Sequence, residues 1–544
     1  MASATRDHFS SRLGVLAATL GSAVGLGNIW KFPSLVGQNG GASFLVVYLL
    51  ASLCIGLPLM ISDLSLGRAG RSNVISIFQK LAPRTGWWLI GLSAIISCLL
   101  ILGFYSDVAG WVFAYIFKSA TGAVSSTDPA VAQASFSSLL NDGPVSLFWQ
   151  WLVLLLTGGI IMRGASAGIE KVTRVLMPVL FLLLVGVCIR SLTLPGASEG
   201  LRFLFMPQWD RVDASVIMMA MGLAFFKMSL GMGCMLTYGS YFKEDVNIPL
   251  MATRVMICDL LVSLLAGIAI FPAVFSFGFQ PAEGPALLFL TIPAVFASMP
   301  GGTFFATLFF ILSAIASTGA ILSLLEVPVA WLSERFALPR TKAVPILLAG
   351  LVLLGLPATL STGPALQDVK LFGLTFFDLY DALSSTILMP LSGIVTSLFV
   401  GYFWKKEHML AALGGGMPAR LVRSLCRTVT PVLITLVHFP LFPAAPFLQY
   451  DPADVPILIA AFGPVAGILV TVLASFIQAF FLGGDGIYGF LMHVIATGIL
   501  VTVASTLYRK FHTRTGAIIG LLLGTFAMGV GMMIANHFIT PFYM

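Results

Sequence analysis

The first long apolar segment of the chain, which begins near Leu13, is interrupted by Gly21-Ser22-Ala23-Val24-Gly25-Leu26-Gly27-Asn28. Each of these three glycines disfavours a continuous helix by about 1 kcal/mol relative to alanine. A second apolar stretch breaks at Phe226-Lys227-Met228-Ser229-Leu230-Gly231-Met232-Gly233. Amides and carbonyls released from a helix at bilayer depth cost several kcal/mol each unless they line a cavity or meet a ligand. Two such breaks predict one binding site near the membrane midplane. Broken segments at corresponding positions of two halves are the sequence sign of a secondary transporter built from inverted repeats.

Of the 544 residues 58% are hydrophobic and 9% charged, and the mean hydropathy is +1.00, which excludes an ordinary soluble protein. At about 20 apolar residues per crossing, the expectation is an all-α polytopic membrane protein with spans near 13–37, 43–66, 87–117, 145–162, 175–190, 215–241, 249–277, 304–333, 343–359, 377–404 and 422–438. Four further spans are expected near 455–462, 463–483, 487–508 and 516–540. No cleavable signal is expected, because Met1 to Ser11 is polar and the first apolar segment is long and interrupted. Placing the N-terminus in the cytoplasm puts 22 of the 29 lysines and arginines on the inner side, against five in the opposite loops. That asymmetry sets the orientation in the inner, cytoplasmic membrane.

The six cysteines lie in or beside apolar segments without metal-ligand spacing, and the six histidines form no cluster. No nucleotide-binding loop, nucleophile elbow or HExxH is present. An enzyme, a catalytic cofactor and a nucleic-acid partner are therefore not expected, and the partners are the lipid bilayer and a small molecule.

The first ten spans divide five and five, each half opening on a broken helix. Arg6-Asp7-His8-Phe9, Arg12-Leu13-Gly14, Gly21 to Asn28, Phe32-Pro33, Asn39-Gly40-Gly41 and Gly56-Leu57-Pro58-Leu59, with Phe225-Phe226, Ser229-Leu230-Gly231 and Thr237-Tyr238-Gly239-Ser240-Tyr241 later, resemble the neurotransmitter:sodium symporter family. The resemblance covers roughly residues 6–438 and implies the leucine-transporter fold: a 5+5 inverted repeat with helices 1 and 6 broken, followed by an eleventh helix. The tail is different. Phe439 to Asp451, Asp454-Val455-Pro456, Gly463-Pro464, Ser475 to Gln478, Gly486 to Gly489 and Ala535-Asn536 resemble the riboflavin-binding S component of energy-coupling-factor importers. The expected domains are a symporter over 1–438 and a partial S-component-like module of about four helices over 439–544. That module lacks the family's sixth helix and the AxxxA docking pattern between Leu421 and Leu436, so docking to an energy-coupling-factor complex is not expected.

An amino-acid zwitterion needs donors for its carboxylate and acceptors for its ammonium, and two opposed half-helix ends supply both. The resemblance implies that the amides of Leu26 and Gly27 and the hydroxyl of Tyr105 hold the carboxylate. Carbonyls of Ala23, Phe226 and Ser229 take the ammonium, and Phe226 caps the pocket. Ile101 and Met232 offer apolar lining. Monoamine carriers of the family have an aspartate where this chain has Gly25, so a neutral, apolar amino acid is the implied substrate. One sodium site is implied at the carbonyls of Gly21 and Val24 with Ala314, Ser317 and Thr318. A second family sodium site, at Ala23 and Asn28, has Lys227 where a hydroxyl belongs and Asp259 at the acidic ligand, so an internal ion pair is expected to replace that ion. Lys31 with Asp381 and Arg6 with Glu334 are the implied outer and inner gates. The function expected is amino-acid import by cation-coupled symport, with sodium or protons as the coupling ion. The alternatives are riboflavin binding or uptake through the tail, and an amino-acid sensor that binds without transport.

Overall fold

The structure is a computed structural model; it describes residues 7–277, 287–413, 416–431, 486–511 and 514–539, with the single positions 468, 472 and 475. Arg6 and most of 432–485 lie outside the described residues, and with them the second half of the eleventh expected span and the spans expected at 455–462 and 463–483. Among the described residues nine helices are long and apolar enough to cross a membrane, ten when the bent pair at the N-terminus counts as one span.

The first half comprises α1 (Arg12–Ala23), α2 (Gly27–Gln38), α3 (Ala42–Gly70), α4 (Trp88–Ala120), α5 (Gly143–Ile161) and α6 (Ala165–Leu192). The second comprises α7 (Ala214–Lys227), α8 (Cys234–Gly239), α9 (Ile248–Ser276), α10 (Gly302–Arg335), α11 (Arg340–Ser361) and α12 (Phe376–Phe403). Then follow α13 (Gly416–Arg427), α14 (Gly486–Phe511) and α15 (Arg514–Ile539), the last two packed as a hairpin. Local chemistry sets the starts. Ser11, Asp142, Asp213, Asn247 and Thr375 each accept a hydrogen bond from an amide in the first turn of the helix that follows, which satisfies one of the donors a helix leaves open.

Burial sorts the spans into layers. In their most apolar windows α10 is 78% and α4 67% buried, against 33% for α6 and 39% for α5 and α11. The long helices α4 and α10 pack on each other as an interior post. Leu155, Leu156, Leu182, Ile189 and Leu353, on the outer helices, are exposed and make an apolar wall suited to lipid.

Both expected breaks are present and are built differently. Between α1 and α2 the chain leaves helical geometry at Val24, which is extended, and the two halves meet at 56°. Between α7 and α8, three residues take left-handed backbone: Ser229 at φ +53°, Gly231 at +73° and Gly233 at +79°. The α1 helix packs on α6, α9 and α10, so the first break is held against both halves of the molecule.

A Cβ at Gly231 would run into the backbone carbonyl of Met389 on α12 as well as strain a left-handed residue. Gly231→Ala is expected to cost about 1–3 kcal/mol and to lower the unfolding temperature in detergent. Unchanged melting would mean that α12 does not clamp this turn.

Candidate functional site

The two breaks answer each other's open backbone groups. At the first, the Gly25 amide donates to Asn28 Oδ1 at 3.2 Å and the Leu26 amide to the Tyr105 hydroxyl of α4 at 3.0 Å. At the second, the Ser229 and Leu230 amides bond back to Phe226 and Phe225, and the Ser229 hydroxyl donates to the Ser22 carbonyl at 2.8 Å. One cross-link therefore joins break to break. Because Tyr105 accepts from Leu26, its own proton is left to donate elsewhere.

A small cavity of about 30 Å³ lies where the breaks face each other. Nine of the residues expected at a substrate site line it: Ala23, Gly25 and Gly27 from the first break, Ile101 and Tyr105 from α4, and Phe226, Lys227, Ser229 and Met232 from the second. Leu26 takes part through its amide instead. The remaining lining comes from Ser22, Asn28, Ala320, Ser323 and Leu324. The last three sit on one face of α10 and were legible only once its register was known. A cavity this size holds a water and no amino acid, so a substrate must open it. Gly25 keeps the walls close, since a Cβ there would lie 3.0 Å from the Tyr105 oxygen and 3.2 Å from the Ala320 methyl.

Lys227 and Asp259 form the expected ion pair. Nζ lies 3.1 Å from Asp259 Oδ2, with both side chains out of solvent. The ammonium also donates to the Tyr48 hydroxyl at 2.9 Å and to Ser263 Oγ, and it rests over the Phe32 and Tyr48 rings at 4.9 and 4.6 Å. The other carboxylate oxygen accepts from Asn28 Nδ2 at 2.6 Å, while Tyr48 donates to Oδ2 at 3.1 Å. Asn28 thus bonds at once to the first break and to the acid. Every strong polar atom in this cage has a partner, which is the condition under which a buried pair survives in a low dielectric. Tyr48 and Ser263 were not expected. Ser263 could have been found from its place one helical turn beyond Asp259.

The sodium ligands expected on α10 are not gathered at the first break. The hydroxyls of Ser317 and Thr318 both donate to the Ala314 carbonyl of their own helix, at 2.9 and 2.7 Å. The residue against the Gly21 carbonyl is Gly319, whose added Cβ would lie 2.6 Å from that oxygen. A shift of one residue turns a helix by about 100°, and the expected register missed by that much. The Gly25 amide that would close the helical ladder onto the Gly21 carbonyl is given to Asn28, and Val24 ends the helix by bonding to Leu20.

The outer gate pair is not formed. Among the described residues no ion pair joins Lys31 to Asp381: the Lys31 ammonium stands 4.4 Å over the Phe226 ring, and Asp381 accepts from Ser385 at 2.8 Å. Of the expected inner gate, Arg6 is outside the described residues, and Glu334 accepts from the amide and side chain of Asn73, both at 2.8 Å. A second charged cluster went unanticipated. Arg340 grips the fully buried Glu326 through two bonds of 2.6 and 2.7 Å, Tyr241 donates to the same carboxylate, and Asp7 lies 3.7 Å from Arg340. Its sequence signal was a lone acid within the apolar run of α10.

With that geometry in place, comparisons with known proteins converge. The profile of the Sodium:neurotransmitter symporter family matches residues 6–134 and 130–482, and the profile of the ECF transporter substrate-specific component matches 428–544. An uncharacterized sodium-dependent transporter, YhdH, from Bacillus subtilis is 41% identical over 76% of this chain and 91% of its own length. The sodium-dependent neutral amino acid transporter SLC6A17 of Rattus norvegicus is 32% identical over 49% of this chain and 40% of its own. Among solved structures, that of MhsT in complex with L-phenylalanine aligns with a TM-score of 0.75 at 40% identity, over 79% of this chain and 99% of MhsT.

Removing one member of the buried pair should be costly and removing both should not. Lys227→Met strands the Asp259 carboxylate and is expected to destabilise by about 3–5 kcal/mol, whereas Lys227→Met with Asp259→Leu recovers most of that loss. Unfolding temperatures of the two single variants and the double variant in detergent measure the cycle. A nearly additive result would mean that the two charges do not interact.

Proposed function

The chain belongs to the sodium:neurotransmitter symporter family, and we propose that it imports a neutral, apolar amino acid by alternating access, driven by a sodium or proton gradient. The observation that carries this is the facing pair of helix breaks around one cavity, tied by the Ser229–Ser22 bond and floored by Tyr105. Amides of Leu26 and Gly27 with the free proton of Tyr105 suit a carboxylate, and carbonyls of Ala23, Phe226 and Ser229 suit an ammonium. Two relatives point the same way: MhsT was solved with L-phenylalanine, and SLC6A17 is named a neutral amino acid transporter. Gly25 adds no charge to the cavity, and Asp259 is already neutralised by Lys227. Neither acid nor amine selectivity has a ready group there. Residues 439–544 are a separate module in this scheme; the second profile match, over 428–544, supports such a module, and the symporter profile overlaps it as far as 482.

Coupling is the finer part of the proposal. Lys227 holds an ammonium beside the cavity where the family resemblance places a sodium ion, so that site is filled by a tethered cation. The coupling ion is then a single sodium held by backbone carbonyls at the Gly21–Val24 end of the break, without the Ser317 and Thr318 hydroxyls, or the proton of Lys227 itself. The inner gate expected of Arg6 and Glu334 and the outer one of Lys31 and Asp381 belong to states of the cycle in which those pairs close.

Uptake by purified protein in proteoliposomes, with a sodium or proton gradient imposed and neutral amino acids as labelled substrates, tests the function. Accumulation above the equilibrium level is expected, while binding without accumulation would identify a sensor. Gly25→Asp should abolish that uptake, because a carboxylate would stand beside the substrate's own. Normal uptake by this variant would overturn the site assignment. Lys227→Thr is expected to open an additional sodium site and raise the Hill coefficient for sodium from about one to about two. An unchanged sodium dependence would refute the tethered-cation scheme and leave amino-acid import standing.

A further inference from the structure

Asp107 lies on α4 two residues beyond Tyr105, which turns it about 200° away from the cavity and into the junction of α4, α5 and α11. It is completely buried, and no hydrogen bond of good geometry reaches either of its carboxylate oxygens. The groups around it are neutral. Thr359 of α11 and Trp111, one turn along α4, stand directly against the carboxylate, and the Thr359 hydroxyl and Trp111 indole nitrogen are themselves without partners. From α5, Gln150 reaches the turn that precedes Asp107, donating to the Gly103 carbonyl at 3.0 Å and to Ser106 Oγ at 3.1 Å, while its own carbonyl oxygen is unpartnered. The next titratable group on α4 is Tyr115, two turns beyond, also buried and with an unpartnered hydroxyl. Lys118, a turn further on, spends its ammonium on Ser135. Among the described residues no cation is placed to neutralise Asp107.

An ionised aspartate is an acceptor only, whereas its acid form is a donor as well. One proton resolves the cluster. The acid O–H can donate to the Thr359 oxygen, and the remaining oxygen can accept from the Trp111 indole. A metal ion fits less well for two reasons. The indole N–H is a donor that stands against the carboxylate, and it would compete with a bound cation. Glycines also bring the three backbones close, since a Cβ at Gly110 would lie 2.8 Å from the Gln150 amide and one at Gly355 2.6 Å from its side-chain nitrogen. A proton needs no coordination sphere.

We propose that Asp107 is a proton-binding site in the scaffold, carrying one proton on a neutral carboxylic acid that joins α4 to α11, distinct from the ion that drives substrate through the cavity. The contact is internal to the helix carrying Tyr105, so it holds that hydroxyl in position from behind. Nothing in this assignment depends on which substrate the cavity takes.

Infrared absorption of the purified full chain in lipid tests it. Wild type should show the carbonyl-stretch band of a protonated, buried carboxylic acid throughout the neutral pH range, and Asp107→Asn should lose that band while keeping wild-type uptake, since the amide mimics the neutral acid. A difference spectrum without the band would overturn the proposal. So would a wild-type band that vanishes when choline is replaced by sodium, because the carboxylate would then be ligating the ion. If Asp107→Asn does not yield folded protein, the spectrum of Asp63→Asn, which lacks a second buried carboxyl group of the membrane core, still decides: titration of the remaining buried band within the neutral range would show a group that releases its proton there, contrary to the proposal.

Discussion

The rest of the molecule depends on one constraint: backbone polar groups released at bilayer depth must find partners inside the protein. Breaking a helix there is tolerated only if something replaces the lost ladder. Here the replacement is specific, with Asn28 taking the Gly25 amide, Tyr105 the Leu26 amide and Ser229 the Ser22 carbonyl. These are single bonds to single side chains, so a ligand can compete for the groups they satisfy. A binding site arises wherever such a break is held open, and two breaks held against each other make one that can address both ends of a zwitterion.

Buried charge follows the same logic. Lys227 with Asp259, Arg340 with Glu326, and Glu170 with the amides and hydroxyls of Ser10 and Ser11 each close their own electrostatics within a few ångströms. Breaking one of these leaves a bare charge in a low dielectric, and for a pair that loss exceeds what its formation gains. The pairs are therefore better understood as constraints on which helices sit together than as sources of stability. Lys227 with Asp259 ties α7 to α9 beside the cavity, and Arg340 with Glu326 ties α11 to α10. Movement that opens the cavity has to leave these pairs intact or exchange their partners.

Mobility is left to the contacts that cost little. Lys31 over Phe226 is a cation on an aromatic face, worth about 0.5–1 kcal/mol where solvent reaches it, and the breaks are crossed by neutral hydrogen bonds. The interior post of α4 and α10 is the most buried part of the molecule, whereas the half-helices α2 and α8 are short. The architecture thus separates a stiff scaffold from elements joined to it through a few replaceable bonds.

The sequence alone was enough to place most spans of the described residues, both breaks and most of the cavity lining, because glycine clusters inside apolar runs have only one acceptable meaning in lipid. Pairing of Lys227 with Asp259 was legible too, since two opposite charges at membrane depth have to meet something. What needed the tertiary structure was register and rotation. Ser317 and Thr318 turn their hydroxyls to Ala314 and present Gly319 to the break, because a single residue on a helix changes the direction of a side chain by about 100°. Tyr48, Glu326 and Arg340 acquire their roles only from helices distant in sequence. Asp107, one carboxylate in an apolar segment, has no visible significance until packing shows that every neighbour is neutral. Local chemistry decides where a membrane chain must break, and only packing decides which groups the break will face.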